Sequence, residues 1–186
     1  MLYRTKLDFD YGLFFSEYER LKSYEYSMPY HYGTATNNDW TPEGKYTIRW
    51  KDAMTSTVVS EYCNEIKRMF MLPGRVDGRF YRLEPFVIGQ AHVDGKQGSE
   101  RTQCCLNFML NNNTAGVTFH DKGKETSYTY RQALLDVSQV HSVKNNDIDR
   151  IMFKISIFHV CFDEVKEIME HQGFLENAET FTQYTL

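Results

Sequence analysis

The chain has 186 residues, 41% of them hydrophobic and 25% charged, with a net charge of −4. That is enough to bury a sizeable core as one domain, and the acidic balance gives no electrostatic footprint for general nucleic-acid binding. No leader-like segment and no apolar run of membrane length is visible, so the expectation is a cytoplasmic protein without membrane contact.

The N-terminal third reads as helix and loop. Leu13, Phe14, Tyr18 and Leu21 have helical spacing behind an Asp10 cap. Ser27 to Trp50 is irregular, broken by Pro29, Gly33, Pro42 and Gly44, and its Tyr30, Tyr32, Trp40 and Tyr46 make it a candidate lid, with a plain surface loop as the alternative. Ala53 to Met71 is the clearest helix, with a stripe of Val58, Val59, Tyr62, Ile66, Met69 and Phe70, stopped by Pro73-Gly74.

The period then changes to that of strands: Arg79 to Ile88, Arg101 to Leu110, Gly116 to Phe119, Ser127 to Val137 and Arg150 to Val160. Asp77-Gly78, Asp94-Gly95, Asn111 to Asn113, Lys122-Gly123 and Asn145-Asn146-Asp147 supply turns. A short helix follows from Asp163 to His171, and the tail beyond Leu175 is polar. Cys63, Cys104, Cys105 and Cys161 form no C-x-x-C pair and read as reduced thiols.

These elements predict a mainly β protein with flanking helices: an antiparallel, cupin-like jelly roll (a double-stranded β-helix) with the N-terminal helices packed on one sheet. Residues 1–77 form the helical and loop part, 78–160 the jelly-roll core, and 161–186 the C-terminal helix and tail. The last strand orients the body. Ile151, Phe153, Ile155 and Ile157 share the face suited to lie under helices, which leaves Arg150, Met152, Lys154 and Ser156 to look into the barrel.

His92 and Asp94 stand at i and i+2 at a strand end, so their side chains point the same way. His141 lies before the Asn-Asn-Asp turn, and Arg150 opens the next strand. Two imidazoles and one carboxylate that leave coordination positions open suit non-haem Fe(II), which must bind co-substrate and O2 together. A His-x-Asp pair alone arises readily by chance in a chain with six His; its placement beside a second His and an inward Arg gives it weight.

The segments AHVDGKQGSERTQCCLNFML, from Ala91, and ALLDVSQVHSVKNNDIDRIMFKISIF, from Ala133, resemble the Fe(II)/2-oxoglutarate-dependent dioxygenases, and within them the aspartyl/asparaginyl β-hydroxylase-like branch. The more specific block is His141-Ser142-Val143-Lys144-Asn145 followed by Arg150-Ile151-Met152-Phe153. The resemblance implies that His92, Asp94 and His141 hold Fe(II) and that Arg150 binds the distal carboxylate of 2-oxoglutarate. Arg101 stands where the branch carries a further Arg, and it shares a strand face with Asn107, so both are candidates to line the co-substrate site. The resemblance also implies oxidative decarboxylation of the keto acid to succinate and CO2, coupled through O2 to hydroxylation of an unactivated C–H.

The substrate is an unidentified amino acid, peptide or protein side chain, or small metabolite. Lys96 to Glu100 is a second candidate substrate wall beside the metal motif, and for Tyr81 a place in the core outweighs a co-substrate contact. His120-Asp121 is a decoy pair without the following Arg. The competing readings are a cupin-like metal enzyme that uses no keto acid and a non-catalytic metal-binding jelly roll. A nucleobase-oxidising oxygenase fits the acidic charge poorly.

Overall fold

The computed structural model describes residues 1–21, 48–52, 54–94 and 102–176. Ten strands and three helices are assigned in them: β1 Leu2–Arg4, α1 Tyr11–Leu21, β2 Ile48–Asp52, α2 Thr57–Met69, β3 Val76–Leu83, β4 Ile88–His92, β5 Thr102–Met109, β6 Val117–Asp121, β7 Lys124–Tyr128, β8 Gln132–Asp136, β9 His141–Lys144, β10 Arg150–Phe158 and α3 Phe162–His171. The strands form a six-stranded sheet in the order β1-β8-β5-β10-β3-β2 and a four-stranded sheet in the order β4-β9-β6-β7. Every strand pairing is antiparallel. From β3 onward the chain passes back and forth between the two sheets, which is the winding of a double-stranded β-helix.

The helices cover one face of the large sheet, as the pattern of β10 predicts. Phe14 and Tyr18 of α1, Val59 and Ile66 of α2, and Val165 and Met169 of α3 bury against Phe80, Leu106, Phe108, Phe153, Ile155 and Ile157. Asp10 caps α1 by accepting from the Leu13 N–H at 2.9 Å. Ser56 caps α2 by accepting from Val59 N–H at 3.3 Å, so that helix starts at Thr57, later than the expected Ala53. No described helix is long and apolar enough to cross a membrane.

Several boundaries differ from the sequence expectation, for identifiable reasons. Asp77-Gly78 is not a turn but lies inside β3. A Cβ on Gly78 would meet Val59 Cγ1 at 2.6 Å and Cys63 Sγ and Phe153 Cζ at 2.9 Å, so the glycine is a close-packing site under α2. Ser127 to Val137 is two strands, β7 and β8, which belong to different sheets. Lys122-Gly123 is the expected tight turn: both residues have positive φ (47° and 84°) and join β6 to β7 through a two-residue loop. The short strands β1, β4 and β9 carry no pattern long enough to announce themselves. Most of the Ser27 to Trp50 loop lies outside the described residues; its last three residues begin β2.

The space between the sheets is lined differently from the helix-covered face. Two small apolar clusters, one around Val117, Leu135 and Val137 and the other around Tyr81, Leu83, Met109 and Met152, flank a set of buried polar groups.

Candidate metal centre and anion pocket

β4 and β9 bring the two histidines together. In their ladder His92 stands directly opposite His141, and the ring centroids are 4.4 Å apart. This pairing depends on a bulge. Gly89 faces Val143, yet His92 rather than Ala91 faces His141, so the β4 strand carries one extra residue between the two pairs. The bulge reverses the side-chain parity, which lets both Gly89 and His92 line the interior. Just beyond β4, the Asp94 backbone N–H donates to the Val137 carbonyl at 2.9 Å, which fixes the carboxylate below the two rings.

His92, Asp94 and His141 each offer one ligand atom, and these atoms all lie within 4.8 Å of one another. It is the one such group of His, Cys, Asp and Glu found among the described residues. Asp94 Oδ1 is 3.3 Å from His92 Nε2 and 3.9 Å from His141 Nε2. His141 Nδ1 donates to the Gln139 carbonyl at 2.9 Å, which selects the tautomer whose Nε2 carries a free lone pair toward the cluster. Burial lowers the His141 pKa to about 4 against the opposing pull of Asp94, so the ring is neutral at physiological pH, as a metal ligand must be. Burial would raise the Asp94 carboxyl; the Lys154 ammonium and the two imidazoles more than offset it and hold the group ionised, well below the usual carboxylate range.

A second set of polar groups lies along the same cavity, which measures about 60 Å³ and is also lined by Tyr81, Asn107, Tyr130, Arg150 and Lys154. By the same measure one water needs roughly 10–15 Å³, so there is room for several water-sized groups between the sheets. Arg150 is 1% exposed, and its Nη2 donates to the Tyr130 hydroxyl at 2.9 Å. Its Nε is buried with no hydrogen-bond partner. Asn107 Nδ2 donates to the same hydroxyl at 3.0 Å, and its Oδ1 accepts from the Cys105 thiol at 3.4 Å. Both lone pairs of the Tyr130 oxygen are thereby taken, so its own hydrogen is the group left to give.

The turn before Arg150 is held by asparagines. Asn145 Nδ2 donates to the Leu83, Glu84 and Ile148 carbonyls, and its Oδ1 accepts from Asn113 Nδ2 at 2.8 Å. Asn113 and Asn145, both buried, thus tie the β9–β10 connection to the end of β3 and fix where β10 begins.

The structure therefore brings together four of the six residues singled out for chemistry, His92, Asp94, His141 and Arg150, and sets a fifth, Asn107, on the cavity wall; Arg101, like Lys96 to Glu100, lies outside the described residues. His120 is elsewhere, bonded to Ser142 Oγ at 2.7 Å and 3.2 Å from Glu125 Oε1. Tyr81 lines the cavity as well as one apolar cluster. Lys154 lines the cavity as its strand face predicts, without a role assigned to it from sequence, and Tyr130 is not singled out by the sequence at all. Lys154 shares Arg150's strand face, which is a usable signal; Tyr130, between two strands, offers none.

No family model matches the chain, and no curated protein matches it by sequence. Solved structures do. A Pseudomonas putida prolyl-4-hydroxylase matches with a TM-score of 0.59 at 13% identity, over 86% of this chain and 92% of that one. The epimerase SnoN from nogalamycin biosynthesis, solved with Fe3+, α-ketoglutarate and nogalamycin RO, matches with a TM-score of 0.61 at 14% identity, over 85% and 78%. The α-ketoglutarate-dependent carbocyclase SnoK gives 0.57 at 10% identity, over 85% and 78%. The chain has their fold. At these identities the likeness establishes the double-stranded β-helix, and the chemistry has to be argued from the pocket.

Proposed function

We propose that the protein is an Fe(II)- and 2-oxoglutarate-dependent dioxygenase that hydroxylates an unactivated C–H bond of an amino acid, a peptide or protein side chain, or a small metabolite. The observation that carries this reading is the convergence, in one cavity between the sheets, of the His92-Asp94-His141 cluster with an Arg150 guanidinium whose buried Nε has no partner. An orphaned buried N–H is costly, and an incoming carboxylate would satisfy it.

The donor set fits the metal. His92 and His141 supply two neutral nitrogens and Asp94 one anionic oxygen, a mixed set that suits Fe(II) with positions to spare. Arg150 Nε and the Tyr130 hydroxyl would grip the far carboxylate of the keto acid, while Asn107 holds the Tyr130 oxygen in place. Such an iron centre with its keto acid supplies oxygen activation coupled to oxidative decarboxylation. The protein's share is to orient the co-substrate and to keep water away, for which the apolar walls of Leu83, Val117, Leu135, Val137 and Val143 are suited. SnoN's complex with Fe3+ and α-ketoglutarate supports the same use of this fold.

The aspartyl/asparaginyl β-hydroxylase-like branch remains the reading of the two sequence blocks. The matched enzymes above are named for prolyl hydroxylation, epimerisation and carbocyclisation, so they support reaction at a carbon centre more broadly than hydroxylation of one residue type.

The test is an anaerobic titration of the protein with Fe(II) and 2-oxoglutarate, followed by visible absorbance. A weak metal-to-ligand charge-transfer band is expected, absent in His141→Ala and Asp94→Ala. Arg150→Ala should weaken 2-oxoglutarate binding by about 2–5 kcal/mol, the cost of removing one partner of a buried charged pair. On admission of O2, succinate should form. No band in the wild-type protein would overturn the reading; Fe(II) binding without the band and without succinate formation would favour a keto-acid-independent metal protein.

A further inference from the structure

The Asp94 carboxylate has two oxygens, and the structure uses them differently. Oδ1 faces both imidazole Nε2 atoms, at 3.3 and 3.9 Å. Oδ2 accepts a hydrogen bond from Lys154 Nζ. Lys154 is 8% exposed, and its ammonium lies 5.8 Å from the centroid of the Tyr81 ring. It sits four residues along β10 from Arg150, on the same face, so the two cations start roughly 13 Å apart along the strand. Both reach into one cavity, Lys154 at the metal-cluster end and Arg150 at the Tyr130 end.

We propose that Lys154 is a positioning residue that occupies Asp94 Oδ2, leaving Oδ1 alone to face the metal, and that its charge tunes the site to favour an anionic co-substrate over the bare metal ion. This rests on the proposed iron and keto-acid chemistry. A lysine this deeply placed is costly to desolvate, and Asp94 offsets part of that cost. Asp94 then enters metal binding with part of its charge already spent on the ammonium, so the cluster holds a divalent ion less tightly than two imidazoles and an unshared carboxylate would. Once the ion is present, it and the ammonium together exceed the single carboxylate, and a dianion that reaches from the metal to Arg150 restores the balance. Removing Lys154 should therefore move the two affinities in opposite directions. Loss of a purely structural ion pair would weaken both.

The experiment uses the full chain as wild type, Lys154→Met and Lys154→Arg, with folding of each checked by circular dichroism and thermal melting. Mn(II) affinity is read by electron paramagnetic resonance without co-substrate. 2-Oxoglutarate affinity is then read by calorimetry on Mn(II)-saturated protein. Lys154→Met should bind Mn(II) at least about threefold tighter, because a like charge has left the ion's neighbourhood. It should bind 2-oxoglutarate about tenfold or more weaker, and Lys154→Arg should recover most of that loss. If Lys154→Met leaves both affinities within about twofold of wild type, or weakens both, the inference fails while the metal centre stands. Should Lys154→Met not fold, Lys154→Arg and Lys154→Gln carry the comparison: a tighter Mn(II) and weaker 2-oxoglutarate in Gln than in Arg supports the role, and equal values overturn it. Absence of Mn(II) binding in the wild-type protein would instead strike at the proposed function itself.

Discussion

On one face β10 sets Ile151, Phe153, Ile155 and Ile157 against three helices; on the other it sets Arg150, Met152, Lys154 and Ser156 against the second sheet. All nine of its residues are buried, so burial alone does not tell the faces apart. Their energetics do. Each large side chain on the helix side contributes roughly 1.5–3 kcal/mol by leaving water. On the cavity side a buried ion costs several kcal/mol before pairing, and the pairing with Asp94 or Tyr130 returns only part of it. The dry face stabilises the sheet, and the polar face spends some of that stability on groups preset for a ligand. Such a division predicts that the faces can be damaged separately.

Phe153→Ala is the largest expected blow. The ring is fully buried, with Phe14 and Phe80 at centroid distances of 4.8 and 5.3 Å. Truncation should cost about 3–5 kcal/mol of stability, read as a fall in the urea midpoint. The folded fraction should still bind one Mn(II) with wild-type affinity. A parallel loss of metal affinity would show that the faces are coupled through the sheet.

Asp94→Asn attacks the other face. It removes the charged partner Asp94 from the buried Lys154 ammonium and should cost close to 3 kcal/mol in metal-free protein, besides abolishing metal binding. The double variant Asp94→Asn with Lys154→Met removes the ammonium as well. It should regain most of the lost stability in urea unfolding while metal binding stays absent. If the double variant is no more stable than the single one, the cost lies in the packing of the β4 end and not in the loss of Asp94's charge beside the ammonium.

The two faces were also unequally legible in the sequence. The dry face announces itself: β10 alternates cleanly, and α2 carries its stripe in register with it. From the polar face, His92, Asp94, His141 and Arg150 could be read because their residue types and order resemble a known ligand pattern. What could not be read is how they meet. The β4 bulge that turns His92 toward His141 is set by pairing with a four-residue strand that has too few positions to show a period. Tyr130 lies between β8 and its predecessor, and only the folded chain shows that Arg150 and Asn107 share its oxygen. The sequence places Lys154 on Arg150's inward face, but strand parity gives a direction and not a partner, and only the folded chain shows that it meets Asp94.

Acid titration offers the finest separation of the faces. Above pH 6.5, the ordinary histidine value, His141 is neutral in both folded and unfolded chains. Between 6.5 and about 4 the unfolded chain takes up a proton that the buried ring refuses, so the unfolded state binds more protons and stability falls as pH falls. The shift caps this loss at about 3 kcal/mol. Asp94, held below its ordinary range, adds a further loss only at still lower pH, as its carboxylate becomes protonated. On the helix side, burial raises the Cys63 thiol to about 12, far from this window. Urea unfolding of chelator-treated protein from pH 7 to 4 should therefore fall most steeply below 6.5 in the wild type. Phe153→Ala should follow a parallel curve displaced downward, and His141→Gln should flatten it. A slope that changes in Phe153→Ala, or survives in His141→Gln, would place the proton-linked group somewhere other than the cavity face.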